Sequence, residues 1–201
     1  MNVRALNALR LPNRAIAFYF VAIALVGFAV DGGVYSVLLN LFLLRMGYGT
    51  SQIGLVNAAG MFTFALFSLP SGALGQRWGS RQAILLGLGL VFVGVVLLPL
   101  ADTLPEPVRL PWLVLHQVIQ NLGLALYFVN TAPYVMQLID SRERNRIFPM
   151  QTALLSLAAF AGSLLGGFLP ALASTIIGVP TEQPAPYRYG LILAGLALLP
   201  A

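Results

Sequence analysis

The sequence contains no cysteine and only one histidine, His116. Without cysteine the chain can form no disulfide, no thiolate nucleophile and no cysteine-bound metal site. A single histidine and six acidic residues do not provide the clustered ligands that zinc and iron sites use. We therefore expect neither a metal nor another cofactor.

Charge is also scarce. Only 8% of the 201 residues are charged and 59% are hydrophobic, whereas a soluble domain carries about 25% charged residues. The mean hydropathy is +0.87. A chain of this composition cannot cover its own surface with polar groups, so we expect a lipid bilayer around it. Its arginines are dispersed among apolar runs and form no basic stripe, which argues against a nucleic-acid partner.

The charged residues divide the chain into apolar runs long enough to cross about 30 Å of hydrocarbon. We predict five complete spans, at about 15–44, 52–75, 82–101, 112–138 and 149–173. All should be helices, because backbone groups in lipid need internal hydrogen bonds. A sixth apolar run, of 13 residues, follows Arg188. We expect it to be a truncated sixth span in one half of a longer protein; a short re-entrant helix is the alternative.

The distribution of arginine predicts the orientation, because inner loops carry more positive charge than outer loops. With the N-terminus inside, eight of the 11 basic residues are inside, namely Arg4, Arg10, Arg14, Arg77, Arg81, Arg142, Arg144 and Arg146, while Arg45, Arg109 and Arg188 are outside. We expect a multi-pass protein of a bacterial-type plasma (inner) membrane with a cytoplasmic N-terminus. Residues 1–14 should form a basic, amphipathic lead-in on the inner surface.

Asp31 is the only charged residue inside the first span and lies near its middle. A charge at that depth costs about 2.5–3.5 kcal/mol on insertion scales, so it should face a bundle interior or a watery cavity. Low dielectric there favours the protonated carboxyl, which makes Asp31 a candidate for proton coupling. Tyr35, one helical turn later, could hydrogen-bond to it. Gly32 and Gly33 allow bending or close backbone approach. The alternative is a structural carboxylate held by neighbouring hydroxyl groups.

The fourth span carries a stripe of polar residues spaced three or four apart, which places them on one helix face. The stripe contains His116, Gln120, Gly123, Tyr127, Asn130 and Tyr134, and is widened by Gln117, Asn121 and Thr131. It should face a water-filled path or a polar contact between helices, and we favour the path. Gln120, Tyr127 and Asn130 thus join Asp31 and Tyr35 as candidate proton-coupling or substrate residues. His116 alone fits an interfacial histidine as well as a proton relay.

Three segments carry a resemblance to a known family. The loop after the second span, "GALGQRWGSRQ", matches the pattern G-x-L-a-D-R-x-G-R-K at Gly72, Leu74, Arg77, Gly79 and Arg81, and departs from it at Gln76 and Ser80. This loop resembles the inner-loop motif of the major facilitator superfamily. Arg144 in "DSRERNRIF" corresponds to an arginine in that family's next inner loop. The sequence "GSLLGG", with Gly162, Gly166 and Gly167, is similar to a motif of its proton-coupled exporters, with Ser163 replacing proline.

The resemblance implies an all-α membrane protein in which residues 15–201 form the N-terminal six-helix half, built as a 3+3 repeat, of a twelve-helix transporter. Spans 1 and 4 would line its cavity, and the inner-loop motif would latch this half to a C-terminal six-helix half. Gln76 lacks the charge of the usual aspartate, so we expect a weaker latch.

We therefore expect secondary transport of a small organic solute by alternating access, coupled to H⁺ through Asp31, with efflux by antiport favoured. The expected partners are that solute, H⁺, the bilayer and the second half. A non-transporting structural or sensor subunit is the alternative. An intramembrane enzyme is less favoured, since an aspartyl type needs two membrane carboxylates and a serine type an activated nucleophile.

Overall fold

The computed structural model describes residues 14–200, and the regular elements in that part of the chain are all helices. They are α1 (Arg14–Ala29), α2 (Val34–Arg45), α3 (Thr50–Trp78), α4 (Ser80–Leu97), a 3₁₀ turn (Leu98–Thr103), α5 (Glu106–Leu138), α6 (Arg144–Ile177) and α7 (Ala185–Ala197). The lead-in predicted for residues 1–14 lies outside the described residues, except for its last position.

Five helical stretches are long and apolar enough to cross a membrane: Arg14–Arg45, Thr50–Trp78, Ser80–Thr103, Glu106–Leu138 and Arg144–Ile177. The first of them is α1 and α2 together, which we call the first span. The five predicted spans are thereby confirmed, as is the all-α class. The 13-residue helix α7 lies where the sixth span was predicted to begin.

Several predicted boundaries are wrong. Helix α5 begins at Glu106, within the segment where prolines were expected to prevent a helix. Pro107 is tolerated because the first N–H groups of a helix have no intrahelical partner. On the inner side, α3 continues to Trp78 and α4 begins at Ser80. Gly79 alone therefore joins them, in place of the longer loop expected at 76–81.

The packing of the long helices repeats after three spans. The first span packs along α6 in the same way as α5 packs along α3. In chain order, span 2 is α3, span 4 is α5 and span 5 is α6. If spans 1–3 are exchanged with spans 4–6, span 1 takes the place of span 4 and span 5 takes the place of span 2, so the two packed pairs coincide. This equivalence supports the 3+3 arrangement that the family resemblance implied.

Glycine pairs bring α4 and α5 into close contact. A Cβ atom built on Gly87 would lie 2.7 Å from the carbonyl oxygen of Gly123, and one built on Gly123 would lie 2.6 Å from that of Gly87. Small residues at such crossings let backbones approach and increase van der Waals contact within a membrane. The α4–α5 pair is therefore a tightly packed wall of the bundle.

Candidate solute-binding face

The first span is broken at mid-depth. Residues 30–33 leave the helix, and Gly32 has φ +78°, a conformation that favours glycine. The hydroxyl of Ser36 bridges the break, because it accepts a hydrogen bond from the Gly32 N–H (3.1 Å) and donates one to the carbonyl of Val30 (2.6 Å). It thereby replaces helix hydrogen bonds that the break removes. The bend predicted from Gly32 and Gly33 is confirmed.

Asp31 lies in this break, and its side chain is exposed. Within residues 14–200 its carboxylate forms neither a hydrogen bond nor an ion pair, while its backbone N–H donates to the carbonyl of Val26 (2.9 Å). The expected bond between Asp31 and Tyr35 is not formed. The two residues are separated by the break and no longer lie one helical turn apart.

Tyr35 instead ties the first span to α5. Its hydroxyl donates to Oε1 of Gln117 (3.1 Å) and lies 3.0 Å from Nε2 of His116. His116 is completely buried. It belongs to a contact between helices and not to the membrane interface.

Most of the polar stripe on α5 is buried against α3 and α4. Nδ2 of Asn130 donates to the carbonyl of Ser71 (3.1 Å), and its side chain packs directly on Gly75. The side chain of Gln120 packs on Gly94, and its amide atoms are buried without a hydrogen bond of ordinary geometry to a described residue. The stripe is therefore mainly a polar contact between helices, not the wall of an open path. Glycines on the facing helices leave room for these amides.

Two tyrosines of the stripe border a cavity. Tyr127 and Tyr134 line a cavity of about 550 Å³ between α1, α4 and α5, together with Tyr19 and the inner-end residue Arg81. Its size is within the range of small-molecule pockets. The Tyr127 hydroxyl forms no hydrogen bond with the described residues. Of the α5 candidates, Tyr127 is thus the one that lines this cavity.

A second polar surface was missed from the sequence. Ser36 and Asn40 are exposed on α2 one turn apart, and Nδ2 of Asn57 on α3 donates to Oδ1 of Asn40 (2.9 Å). We call Asp31, Ser36, Asn40 and Asn57 together the polar face. The four-residue spacing of Ser36 and Asn40 was the available signal. Each is a single uncharged residue in an apolar run, so neither alone predicts a polar surface.

The glycines of α6 support the break in the first span. A Cβ atom on Gly162 would collide with the carbonyl oxygen of Phe28 and lie 3.0 Å from the Cα atom of Gly33, and one on Gly166 would lie 3.1 Å from the Cα atom of Val34. A Cβ atom on Gly167 would meet nothing within 4 Å. Of the three motif glycines, Gly162 and Gly166 thus lie against the backbone of the first span, and Gly167 does not.

The inner-loop motif forms a sharp joint. Gly79 has φ +92°, which a residue with a side chain rarely adopts. Gly72 lies on the inner half of α3, where an added Cβ atom would be 3.5 Å from the side chain of Val129 on α5. Among the other motif positions, Gln76, Arg77, Arg81 and Arg144 are all exposed at the inner end of the bundle. These side chains are available to a partner on the inner side.

Comparisons with known proteins agree with this architecture. The family model described as Major Facilitator Superfamily matches residues 14–201. The methylenomycin A resistance protein of Bacillus subtilis (strain 168) is 34% identical over 130 residues, which cover 62% of this chain and 27% of that relative. The chain thus aligns with about a quarter of that relative's length, and no solved structure matches it. The chain is a multi-pass integral membrane protein that belongs to the Major Facilitator Superfamily of transporters.

Proposed function

We propose that the protein is a secondary active transporter that exports a small organic, amphipathic or cationic solute in exchange for protons. Asp31 is its coupling residue, and the six-helix unit operates by alternating access against a second six-helix half. The observation that carries this proposal is the exposed, unpaired carboxylate in a broken helix at mid-depth. A resistance protein among the relatives supports export.

The position of Asp31 provides a simple coupling mechanism. A carboxylate in the membrane interior is costly unless it is protonated, paired or hydrated. Within the described residues Asp31 has no paired cation, so a proton and a cationic solute compete for the same oxygens. Binding of the solute inside then releases the proton inside, and rebinding of a proton from outside expels the solute.

The charges around the site support a cationic solute. In the part of the chain that the structure describes, every arginine lies in a connection or within three residues of a helix end. An anionic solute would be recognised by a basic side chain along the route. The polar face has a single carboxylate and three uncharged residues, which suits a cation with additional polar groups.

The arginines also support a cytoplasmic N-terminus and a plasma-membrane location. Arg77 and Arg81 flank the joint between α3 and α4, and Arg142 and Arg144 lie at the connection between α5 and α6. Both connections are on the side of the bundle where α1 begins. Positively charged connections stay in the cytoplasm during insertion.

The test is transport of ethidium, an amphipathic cation, by the intact protein in proteoliposomes with and without a pH gradient. Asp31→Asn should abolish the transport that the gradient drives. Asp102→Asn is the matched control, because Asp102 pairs with Arg188 at the outer end (3.6 Å) and lies outside the polar face. If Asp31→Asn keeps the same dependence on the gradient as Asp102→Asn, Asp31 is not the coupling residue.

A further inference from the structure

The outer half of the polar face contains an amide pair that spans two helices. Nδ2 of Asn57 donates to Oδ1 of Asn40 (2.9 Å) and to the carbonyl of Ile53 (3.0 Å). Asn40 is exposed and Asn57 is half-buried. From the helix ends at Arg45 and Thr50, the two residues lie about 8–10 Å inside the outer membrane surface at 1.5 Å per residue.

The pair leaves hydrogen-bonding capacity unused. Both N–H groups of Asn57 are taken, so its Oδ1 atom remains as an acceptor, and the NH₂ group of Asn40 remains as a donor. Neither forms a hydrogen bond with another described residue. Lipid tails offer no partner to such groups, and leaving them unpaired in hydrocarbon is costly. The pair therefore faces water, a solute or another polar surface.

The pair is aligned with Asp31. Asn40 lies one turn beyond Ser36 on the same side of α2, and Ser36 is bonded to the backbone next to Asp31. The inner half of the first span exposes the apolar Phe18 and Val21, whereas the outer half exposes the polar Ser36 and Asn40 beside Leu41 and Leu44. On the first span, exposed polar side chains thus continue from Asp31 toward the outer surface.

We propose, building on the function above, that the Asn40–Asn57 pair is a second solute contact, placed between Asp31 and the outer surface. It binds an uncharged hydrogen-bonding group, such as an amine N–H, hydroxyl or amide, of a solute whose cationic centre interacts with Asp31. The pair thereby favours amphipathic cations that carry such a group over cations that carry none.

The first test uses the absence of cysteine from these 201 residues, which makes an introduced thiol unique within them. Asn40→Cys in the intact protein should react with a membrane-impermeant thiol reagent added outside, and ethidium should slow that reaction. Leu55→Cys is the control, because Leu55 is exposed on α3 at a similar depth but about 200° around the helix from Asn57. It should not react. An unreactive Asn40→Cys overturns the inference and leaves the role of Asp31 intact.

The second test compares ethidium, which carries two aromatic amines, with tetraphenylphosphonium, which has no hydrogen-bonding group. Replacing both Asn40 and Asn57 with Ala should lower kcat/KM for ethidium about five- to tenfold, as expected for one or two lost hydrogen bonds. Transport of tetraphenylphosphonium should not change. Asp31→Asn should remove the transport of both, whereas Ser68→Ala, which affects only a bond within α3, should leave both unchanged.

Each other outcome contradicts the inference in a recognisable way. An equal fall for both cations means that the pair only holds α2 against α3. No fall for either means that the solute does not touch it. A wild-type protein that moves neither cation contradicts the proposed cationic solute and, with it, this inference.

Discussion

Gly162 and Gly167 lie five residues apart on α6 and belong to one sequence motif, but their surroundings are opposite. An added Cβ atom at Gly162 would collide with the carbonyl oxygen of Phe28, whereas at Gly167 it would meet nothing within 4 Å. The obstacle at Gly162 is backbone, which cannot rotate away as a side chain can. Only the first glycine is therefore required for the contact with the first span.

We predict that Gly162→Ala destabilises the protein by about 1–3 kcal/mol, the usual cost of overpacking. Gly167→Ala should be neutral or stabilise by up to about 1 kcal/mol, because alanine is the better helix former. The measurement is thermal unfolding of both variants in the same detergent. Equal unfolding temperatures would show that Gly162 is not in close contact with the carbonyl oxygen of Phe28.

For single residues, the sequence indicates the depth of a side chain in the membrane but not its hydrogen-bonding partner. The depth of Asp31 follows from the charges at the ends of its span, and that part could be predicted. The partner of Tyr35 could not, because the four-residue rule holds only within a continuous helix and residues 30–33 interrupt it. Asn57 was missed because its partner Asn40 is 17 residues away on another helix.

At the scale of the element, the first span consists of two short helices held in register by Ser36. Its hydroxyl forms two hydrogen bonds across the break, to the backbone of Gly32 and Val30. In this break a Cβ atom on Gly33 would collide with the carbonyl oxygen of Phe28, so the conformation that presents Asp31 requires glycine at that position. The hydroxyl is therefore part of the structure that positions the carboxylate.

We predict that Ser36→Ala lowers stability by about 1–2 kcal/mol, at roughly 1 kcal/mol for each lost hydrogen bond. Ser163→Ala is the matched control, because the Ser163 hydroxyl bonds only the carbonyl of Phe160 within α6 (2.9 Å). It should change stability by less. Unfolding in denaturant measures both, and a Ser36→Ala variant no less stable than the control would refute a bridging role.

The joint between α3 and α4 also depends on one residue. Gly79 combines φ +92° with ψ +139°, an extended conformation with positive φ that costs other residues about 1–3 kcal/mol. We predict that Gly79→Ala destabilises by this amount. Gly54→Ala, at a helical position on α3 with open space around it, should instead stabilise by about 0.5–1 kcal/mol. Two variants with the same sign of change, measured by thermal unfolding, would contradict this account of the joint.

Helix existence could be predicted from the spacing of charges, whereas helix ends could not. The predicted end of the second span was three residues short, because the polar residues Gln76 and Arg77 were interpreted as a loop. They continue α3, since a helix that leaves the membrane can keep its backbone hydrogen bonds in water. Pro107 was similarly interpreted as a helix breaker, although it lies in the first turn of α5.

For the whole molecule, the repeat explains which helices remain uncovered. Helices α3 and α6 are equivalent in the 3+3 arrangement, and both are buried over little of their length within the described bundle. They carry large exposed apolar residues such as Phe62, Leu69, Phe160 and Phe168. These two helices are therefore the surfaces that meet lipid and the proposed second half.

The latch expected at the inner ends of the helices involves Gln76, which stands where the family pattern has aspartate. Its side chain is exposed at the end of α3. If the latch implied by the family resemblance brings a helix N-terminus of the proposed second half to this position, an aspartate there would interact with it favourably by about 0.3–1 kcal/mol, which corresponds to a roughly two- to fivefold shift between conformations. We predict that Gln76→Asp increases the outward-open population by this factor.

The shift can be measured with thiol reporters on the two sides of the membrane. Asn40→Cys reports access from outside, and Tyr134→Cys, in the inner cavity, reports access from inside. In the Gln76→Asp background the first should react faster and the second more slowly. Gln82→Asp adds the same charge to another exposed inner position and should change neither rate. If both reporters react alike in the two backgrounds, Gln76 does not act as a latch, and the charge missing from this motif has no effect on which side of the membrane the site faces.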